Sequence, residues 1–198
     1  MKKVVIASHN PGKLRELGAL LEPLGIEAIA QAQFRIAEAE EPHETFLENA
    51  LAKARHASRA TGLPALADDS GLCVAALAGE PGVHSAYFAG REGGREERDA
   101  RNNAKLVAAL RPQQDRSAFY YCVLVLVRSS ADPTPLVAEG RWHGDIALEP
   151  RGTNGFGYDP YFVPRGESRS AAEMAPGEKN RVSHRGQALA ALAAHLRG

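Results

Sequence analysis

The amino-acid sequence predicts an α/β fold in which helices flank a central β-sheet. Apolar, strand-like runs alternate along the chain with segments whose leucines and alanines recur at helical spacing. No internal repeat or low-complexity linker interrupts this alternation. With 198 residues, 44% of them hydrophobic, the chain is long enough to bury a sizeable core, as one domain or as two lobes that share a sheet.

The first half of the chain is predicted to contain two helices, each preceded or followed by a strand. The run KKVVIAS is a strand, SHNPG is a loop, and residues 13–25 form a helix with leucines at helical spacing. A second helix begins at a capping box of Thr45 and Glu48 and ends at Gly62. The strand PALADD follows this helix directly.

The second half adds the segments that are expected to complete the sheet. A charged helix covers about residues 96–110, and the long apolar run AFYYCVLVLV after it is the best candidate for a central strand. A further strand, PLVAEGRWHGDIAL, bends at Gly144, and the glycine-rich RGTNGFGYDPYF forms a loop. The closing helix is SHRGQALAALAAHL.

Composition and charge exclude several functional classes. The 24 basic and 24 acidic side chains balance, so no overall field draws the protein to nucleic acid or to an anionic membrane. No signal-peptide pattern is present, and no stretch approaches the roughly 20 apolar residues of a membrane span, so a cytoplasmic location is expected. Cys73 and Cys122 lie in apolar contexts typical of buried free thiols, which argues against a zinc enzyme.

Two adjacent carboxylates, Asp68 and Asp69, stand inside the apolar segment LADDSGL. Like charges side by side repel, and burying them is unfavourable unless a positive charge compensates. A cation is the simplest compensation. We expect the pair at a strand end, where Ser70 and Gly71 form a tight turn that exposes it; the alternative is an Asx-type turn with solvated aspartates.

The loop SHNPGK is suited to direct backbone N–H groups, a helix dipole and the Lys13 ammonium at a phosphate. It is not a Walker motif, because Ala7 and Leu14 stand where that motif has glycine and serine or threonine. Taken alone, the stretch favours an ordinary strand-to-helix turn with a surface lysine.

Three further clusters point to a bound nucleotide. Asn49 and Lys53 share a helix face, downstream of Glu40 and Glu41. GEKNRVSHRG concentrates basic side chains at the start of the last helix, and GFGYDP combines aromatic rings with a carboxylate, suited to stack on a flat ring. Each has a plainer interpretation as solvated glutamates, a basic surface loop or a tight turn. Together they describe a nucleoside triphosphate bound with Mg²⁺.

Five dispersed motifs resemble those of the inosine triphosphate pyrophosphatase, or Ham1-like, family over essentially the whole chain: SHNPGK, ENALAKA, LADDSGL, GFGYDP and SHRGQAL. The resemblance implies a homodimeric, Mg²⁺-dependent hydrolase that cuts ITP, dITP and XTP between the α and β phosphates and so removes deaminated purine nucleotides. It implies that residues 1–198 form one domain with a long mixed sheet, helices on both sides, and a substrate cleft between two lobes.

The resemblance also assigns roles to residues. It implies Asp69 as the catalytic carboxylate, acting with Lys13 and Lys53. It implies Asp69 and Glu41 as the metal ligands, and it favours them over Asp68 and Glu40. It implies His184 and Arg185 as the pair that reads the base. The implied substrate contacts are Ser8, His9, Asn10, Pro11, Gly12, Lys13, Ser70, Phe156, Gly157, Tyr158, Asp159, Lys179, His184 and Arg185.

One segment departs from the family's pattern. Where the family commonly reads YSARY, this chain reads HSAYF, with His84 in place of the first tyrosine and Tyr87 in place of an arginine. If that arginine holds phosphates or the partner subunit, its task is missing or moved here. Tyr87 is therefore left out of the predicted site.

Two other functions stay open at this point. A Maf-type nucleotide pyrophosphatase would share the architecture and chemistry but act on pyrimidine or methylated nucleotides, and base preference separates it. A regulator that senses purine triphosphates without hydrolysing them is the second, and intact Asp69, Lys13 and Lys53 argue against it. A pyrophosphate-release assay separates the regulator from an enzyme.

Overall fold

Six strands form one sheet in the part of the chain that the computed structural model describes, residues 1–8, 10–37 and 39–197. In chain order they are β1 (Lys3–Ile6), β2 (Glu27–Ala30), β3 (Ala65–Val74), β4 (Ser117–Val127), β5 (Leu136–Ile146) and β6 (Phe162–Pro164). They lie in the order β2-β1-β3-β4-β5-β6. β1 pairs in parallel with β2 and β3, whereas β6 pairs antiparallel with β5. The predicted α/β fold with a mixed sheet is confirmed.

The helices follow local signals in the sequence. Thr45 caps the second helix by accepting the Glu48 N–H at 3.2 Å, and Gly62 ends it as predicted. The first helix stops before the predicted boundary at Gly25, because Pro23 has no N–H to continue it, and a 3₁₀ turn follows. The α-helices are α1 (Pro11–Leu21), α2 (Phe46–Thr61), α3 (Arg95–Leu110), α4 (Pro176–Val182) and α5 (His184–Arg197).

The chain divides into two compact units, each with its own apolar core. The first unit comprises Met1–Asp69, Cys122–Gly140 and Gln187–Gly198, and the second comprises Ser70–Tyr121 and Arg141–Gly186. The residue boundaries fall inside β3, β4 and β5, so these strands contribute residues to both units. The predicted substrate cleft stays a prediction. The first core includes Ile6, Leu17, Leu21, Leu66 and Leu124, and the second includes Leu72, Leu106, Leu110, Tyr120 and Phe162.

The prediction of a turn at Ser70 and Gly71 is wrong. β3 continues without interruption to Val74, so Asp68 and Asp69 lie in the middle of a strand. Both aspartates are buried, with only 2% and 8% of their surface exposed. The turn was predicted to expose the pair to a compensating cation, but Lys13 and Lys53 supply positive charge to the two aspartates inside the protein.

The basic segment before the last helix also differs from the prediction. Lys179 and Arg181 belong to α4, a separate helix that ends at Val182. Ser183 is extended and breaks the helical path before α5 begins. The strands β2 and β6 were not predicted, because they are four and three residues long and lack a long apolar run.

The two cysteines, both predicted to be buried free thiols, differ in burial. Cys122 is buried and Cys73 is half-buried, and both are free thiols. Within residues 1–8, 10–37 and 39–197, no helix combines the length and the apolar character needed to cross a membrane.

Candidate active site

The first turn of α1 is closed by the side chain of Asn10. Its Oδ1 accepts the N–H groups of Gly12 at 2.9 Å and Lys13 at 3.4 Å, and Ser8 Oγ accepts the N–H of Asn10 at 3.1 Å. These helix amides are therefore already bonded, and the Lys13 ammonium adds a positive charge to this turn. Pro11 opens α1, and the predicted contact His9 lies outside the described residues.

Lys13 is one of two lysines that neutralise the buried aspartates of β3. Its Nζ lies 2.7 Å from Asp68 Oδ2, and the Asp68 side chain is only 1% exposed. Lys13 itself is 19% exposed, so its ammonium is close to solvent while holding a buried carboxylate. This ion pair explains how Asp68 is tolerated in the middle of a strand.

Lys53 is the second lysine, and it bridges two carboxylates. From α2 its Nζ reaches Glu41 Oε1 at 2.7 Å and Asp69 Oδ1 at 3.1 Å. Burial alone would lower the pKa of Lys53, but the charges of Asp69, Asp68 and Glu41 raise it above the ordinary value. Lys53 therefore stays protonated and holds the two carboxylates together.

The pKa of Asp69 is raised, chiefly because its carboxyl is buried, and the neighbouring Lys53 and Lys13 only partly oppose this shift. A carboxylate with a raised pKa is a better proton acceptor, since its basicity lies closer to that of the group it must deprotonate. Buried carboxyls with this kind of shift cluster at catalytic sites. Burial and a raised pKa are features that general bases share, and the role of Asp69 as the general base stays a prediction.

Asp69 Oδ2 is buried and accepts no hydrogen bond from the described residues. An orphaned carboxylate oxygen of this kind suits a hard cation such as Mg²⁺, and the Glu41 side chain, 38% exposed, offers further oxygen donors beside it. No three His, Cys, Asp or Glu side chains group as a metal site within the described ranges. Mg²⁺ is usually held by one or two carboxylates with waters and phosphates, so this donor set fits it.

Asn49 is a functional candidate whose role the sequence did not reveal. Its side chain is buried, and it accepts the N–H of His43 and donates to the His43 carbonyl, both at 3.1 Å. These two bonds tie the backbone beside Glu41 to α2, one helical turn from Lys53. The shared helix face of Asn49 and Lys53 was the available signal.

A second cluster lies in the other unit, at the loop of residues 155–159. Asp159 Oδ2 accepts the N–H of Phe156 at 2.8 Å and pairs with Lys179 Nζ at 2.5 Å. The Phe156 ring is 44% exposed, and the cations of Arg95 and Lys179 lie 4.5 and 5.4 Å from its centroid. An exposed ring flanked by cations is suited to stack on a flat, electron-rich ligand.

Tyr158 and Asp159, predicted beside Phe156 as substrate contacts, are both buried. The Tyr158 hydroxyl donates to the Ser85 carbonyl at 2.8 Å, and burial raises the Tyr158 pKa. These side chains therefore serve the shape of the loop, while Phe156 presents its ring to solvent. Their contact with a ligand stays a prediction, as does that of Ser70, which is half-buried on β3.

The start of α5 holds His184 and Arg185, each 7% exposed. The His184 ring stacks on Tyr120, with ring centroids 4.7 Å apart and an angle of 11° between the planes. The next residue must be glycine, because a Cβ on Gly186 would collide with the Asn180 carbonyl. Gly186 thus allows α5 to begin directly against the end of α4.

Two arginine side chains lie against the ring of Tyr87. The Arg91 and Arg98 guanidinium carbons lie 4.3 and 5.8 Å from the centre of the Tyr87 ring. Such stacking holds a cation over an aromatic face. Tyr87 stands where the family commonly has an arginine, and two other arginines of this chain lie over its ring.

Known proteins resemble this chain over nearly its full length. Residues 4–195 match the Ham1 family. The dITP/XTP pyrophosphatase of Burkholderia pseudomallei is 60% identical over 194 residues, which cover 98% of this chain and 93% of that protein. The dITP/XTP pyrophosphatase of Nitrosomonas europaea is 59% identical over 192 residues, or 97% of this chain and 93% of that protein.

Solved structures agree with these sequence matches. A HAM1 protein from Coxiella burnetii superposes with a TM-score of 0.94 at 49% identity, covering 100% of this chain and 99% of that one. The Ham1 protein of Staphylococcus aureus gives a TM-score of 0.90 at 36% identity, again covering 100% and 99%.

Proposed function

Because the chain belongs to the Ham1 family, we propose that it hydrolyses ITP, dITP and XTP to the nucleoside monophosphate and pyrophosphate. The observation that carries this proposal is the buried carboxyl of Asp69, with its raised pKa and its bond to the Lys53 ammonium. Such an enzyme removes deaminated purines from the nucleotide pool. The names of the relatives from Burkholderia pseudomallei and Nitrosomonas europaea support this substrate class.

The first cluster supplies the reaction in this proposal. Asp69 orients a water molecule and takes its proton while the water oxygen bonds to the α-phosphorus. The α–β phosphoanhydride bond breaks, and pyrophosphate leaves. Lys53 holds Asp69 in place at 3.1 Å. Lys13 is the partly exposed ammonium that neutralises phosphate charge.

Mg²⁺ is the cofactor that we propose for this cluster. Asp69 Oδ2 and the Glu41 carboxylate would hold the ion, because one is an orphaned buried oxygen and the other shares the same lysine. When bound, Mg²⁺ neutralises negative charge on the phosphates. Without the ion, Lys13 pairs with Asp68 and Lys53 pairs with both Asp69 and Glu41, so the lysines offset the negative charge of the three carboxylates.

Phe156, His184 and Arg185, which all belong to the second unit, supply recognition of the base in this proposal. The exposed ring of Phe156 offers a stacking surface, and His184 and Arg185 offer hydrogen-bond donors. Inosine and xanthine carry a 6-keto oxygen that accepts hydrogen bonds, whereas adenine carries a 6-amino donor. Donors in the protein therefore favour the deaminated purines.

We also propose that the protein works as a homodimer in the cytoplasm, without nucleic-acid or membrane partners. The family resemblance supports the dimer, and the balance of 24 basic and 24 acidic residues fits a protein with no polyanionic partner.

Hydrolysis of ITP tests the cleaved bond. We expect ITP with Mg²⁺ to yield IMP and pyrophosphate in equal amounts, because the lysines and the metal stabilise a pyrophosphate leaving group. Separation of the products by ion-exchange chromatography, with a coupled pyrophosphate assay, measures both. IDP with orthophosphate would contradict the proposed bond, and bound but intact ITP would favour the regulator.

Base selectivity tests the proposed role of Arg185. The 6-amino group of ATP would face the Arg185 guanidinium, so that two donors meet. A buried donor without an acceptor costs about 1–3 kcal/mol, and sites built on such bonds reach larger ratios of kcat/KM between substrates. We expect kcat/KM for ITP to exceed that for ATP by at least about 100-fold. Steady-state kinetics on ITP, dITP, XTP, GTP, ATP and a panel of pyrimidine and methylated nucleotides measure this ratio.

Arg185→Ala should lower the ITP-to-ATP ratio, whereas Arg181→Ala should leave it unchanged. Arg181 is a matched control because it is an exposed arginine four positions earlier, at the end of α4. An unchanged ratio in Arg185→Ala, or equal use of ATP and ITP by the unaltered protein, would contradict this role. Preference for pyrimidine or methylated nucleotides would support the Maf-type alternative.

A further inference from the structure

Two side chains of α3 bind the backbone of one residue, Gly157, in the 155–159 loop. Asp99 Oδ2 accepts the N–H of Gly157 at 3.0 Å, and Asn103 Nδ2 donates to the Gly157 carbonyl at 2.9 Å. Asp99 and Asn103 are four residues apart and so share one face of the helix. Both polar groups of Gly157 are thus bonded to α3, although the partners are 58 and 54 residues away in sequence.

Gly157 is a position where such fixing matters. Its φ is +62°, in the left-handed region that favours glycine, so the chain reverses sharply directly after Phe156. The N–H of Phe156 is bonded in turn to Asp159. The backbone on both sides of the Phe156 ring is therefore held by carboxylates and an amide.

The Phe156 ring has little packing of its own to fix it. It is 44% exposed, and the groups that lie over its face are the cationic ends of the Arg95 and Lys179 side chains. The direction in which the ring points is consequently set by the loop backbone. That backbone is set by Asp99 and Asn103.

We propose that Asp99 and Asn103 are positioning residues, which pre-arrange the Phe156 ring as a stacking surface for the purine. This inference rests on the proposed function and deepens it. A carboxylate is an unfavourable choice in an element that serves a polyanionic substrate, since like charges repel. Its charge-assisted bond to the Gly157 N–H gives a reason for an aspartate at position 99.

The test separates binding from chemistry. Asp99→Ala and Asn103→Ala should each raise KM for ITP roughly tenfold to a hundredfold, because a loosened loop must be ordered by the substrate. We expect kcat to change by no more than about twofold, since these residues touch no reacting atom. Calorimetric affinity for the product IMP should weaken by the same factor as KM rises.

Three further variants guard against a merely structural explanation. Asp99→Asn keeps an acceptor for the Gly157 N–H and should restore most of the affinity. Asn102→Ala is the matched control, because Asn102 is buried at the adjacent position but bonds to Ala89 and Ser85. It should lower thermal stability without raising KM. The effects of Asp99→Ala and Asn103→Ala on KM should be less than additive in the double variant, because both residues bind the backbone of Gly157.

The outcomes distinguish this inference from the proposed function. If the unaltered protein hydrolyses ITP normally and Asp99→Ala keeps its KM and its IMP affinity, the inference is overturned while the function stands. A parallel rise in KM for Asn102→Ala would also overturn it. If the unaltered protein leaves ITP intact, the proposed function fails and this inference fails with it.

Discussion

Asp69→Asn is expected to lower kcat for ITP by roughly 10²–10⁴, the usual loss when a general base is removed. The amide has almost the same shape, but it can neither take a proton from water nor contribute negative charge. It can still accept the hydrogen bond of Lys53, so we expect the fold and nucleotide binding to be largely kept. Single-turnover kinetics, together with IMP affinity, measure the two effects separately.

A matched control for this variant is Asp132→Asn. Asp132 is another buried aspartate of the same unit, and its carboxylate binds Arg128 in the turn after β4. Losing that pair should lower the melting temperature and leave kcat unchanged, because the turn is outside the catalytic cluster. A near-normal kcat for Asp69→Asn would show that another group is the general base, and Asp68 would be the first candidate.

Removal of the divalent cation should have the other large effect. We expect excess EDTA to abolish ITP hydrolysis and added Mg²⁺ to restore it, because without the ion Asp69 and its neighbours repel the triphosphate. Glu41→Gln should raise the Mg²⁺ concentration needed for half-maximal rate, since it removes a charged ligand. Circular dichroism in EDTA should stay unchanged, because the ion pairs of Lys13 and Lys53 hold Asp68 and Asp69 in the fold without the metal.

Equal rates of ITP hydrolysis in EDTA and in Mg²⁺ would contradict a role for the metal. Titration of Mg²⁺ into Asp69→Asn offers an independent readout, because weaker binding is expected when the orphaned oxygen becomes part of an amide. Isothermal calorimetry with the metal alone measures this without turnover.

The helices and strands that could be predicted are those whose limits depend on residues close together in the sequence. The limits of α2 follow from Thr45 and Gly62, and the position of β4 follows from a long run of apolar residues. The path of β3 through its two aspartates could not be predicted in this way. It depends on Lys13 and Lys53, which lie on other elements and meet the strand only after folding.

The candidate site follows the same division. Lys13 and Lys53 were found from motifs and helix spacing, because each belongs to a contiguous stretch with a recognisable pattern. Asp99 and Asn103 were not found, because in a charged helix they look like ordinary surface residues. Their role depends on hydrogen bonds to Gly157, which lies more than fifty residues later, and no local sequence pattern predicts these bonds.

The uninterrupted course of β3 has a consequence for the mutations that the gene can tolerate. In a strand, successive side chains point to opposite faces, so inserting or deleting one codon reverses every side chain beyond the change. An insertion after Asp69 would reverse Leu72 and Val74, which are fully buried in the second core. Length changes within codons 65–74 should therefore be rare among functional variants, whereas the loops before and after β3 can vary.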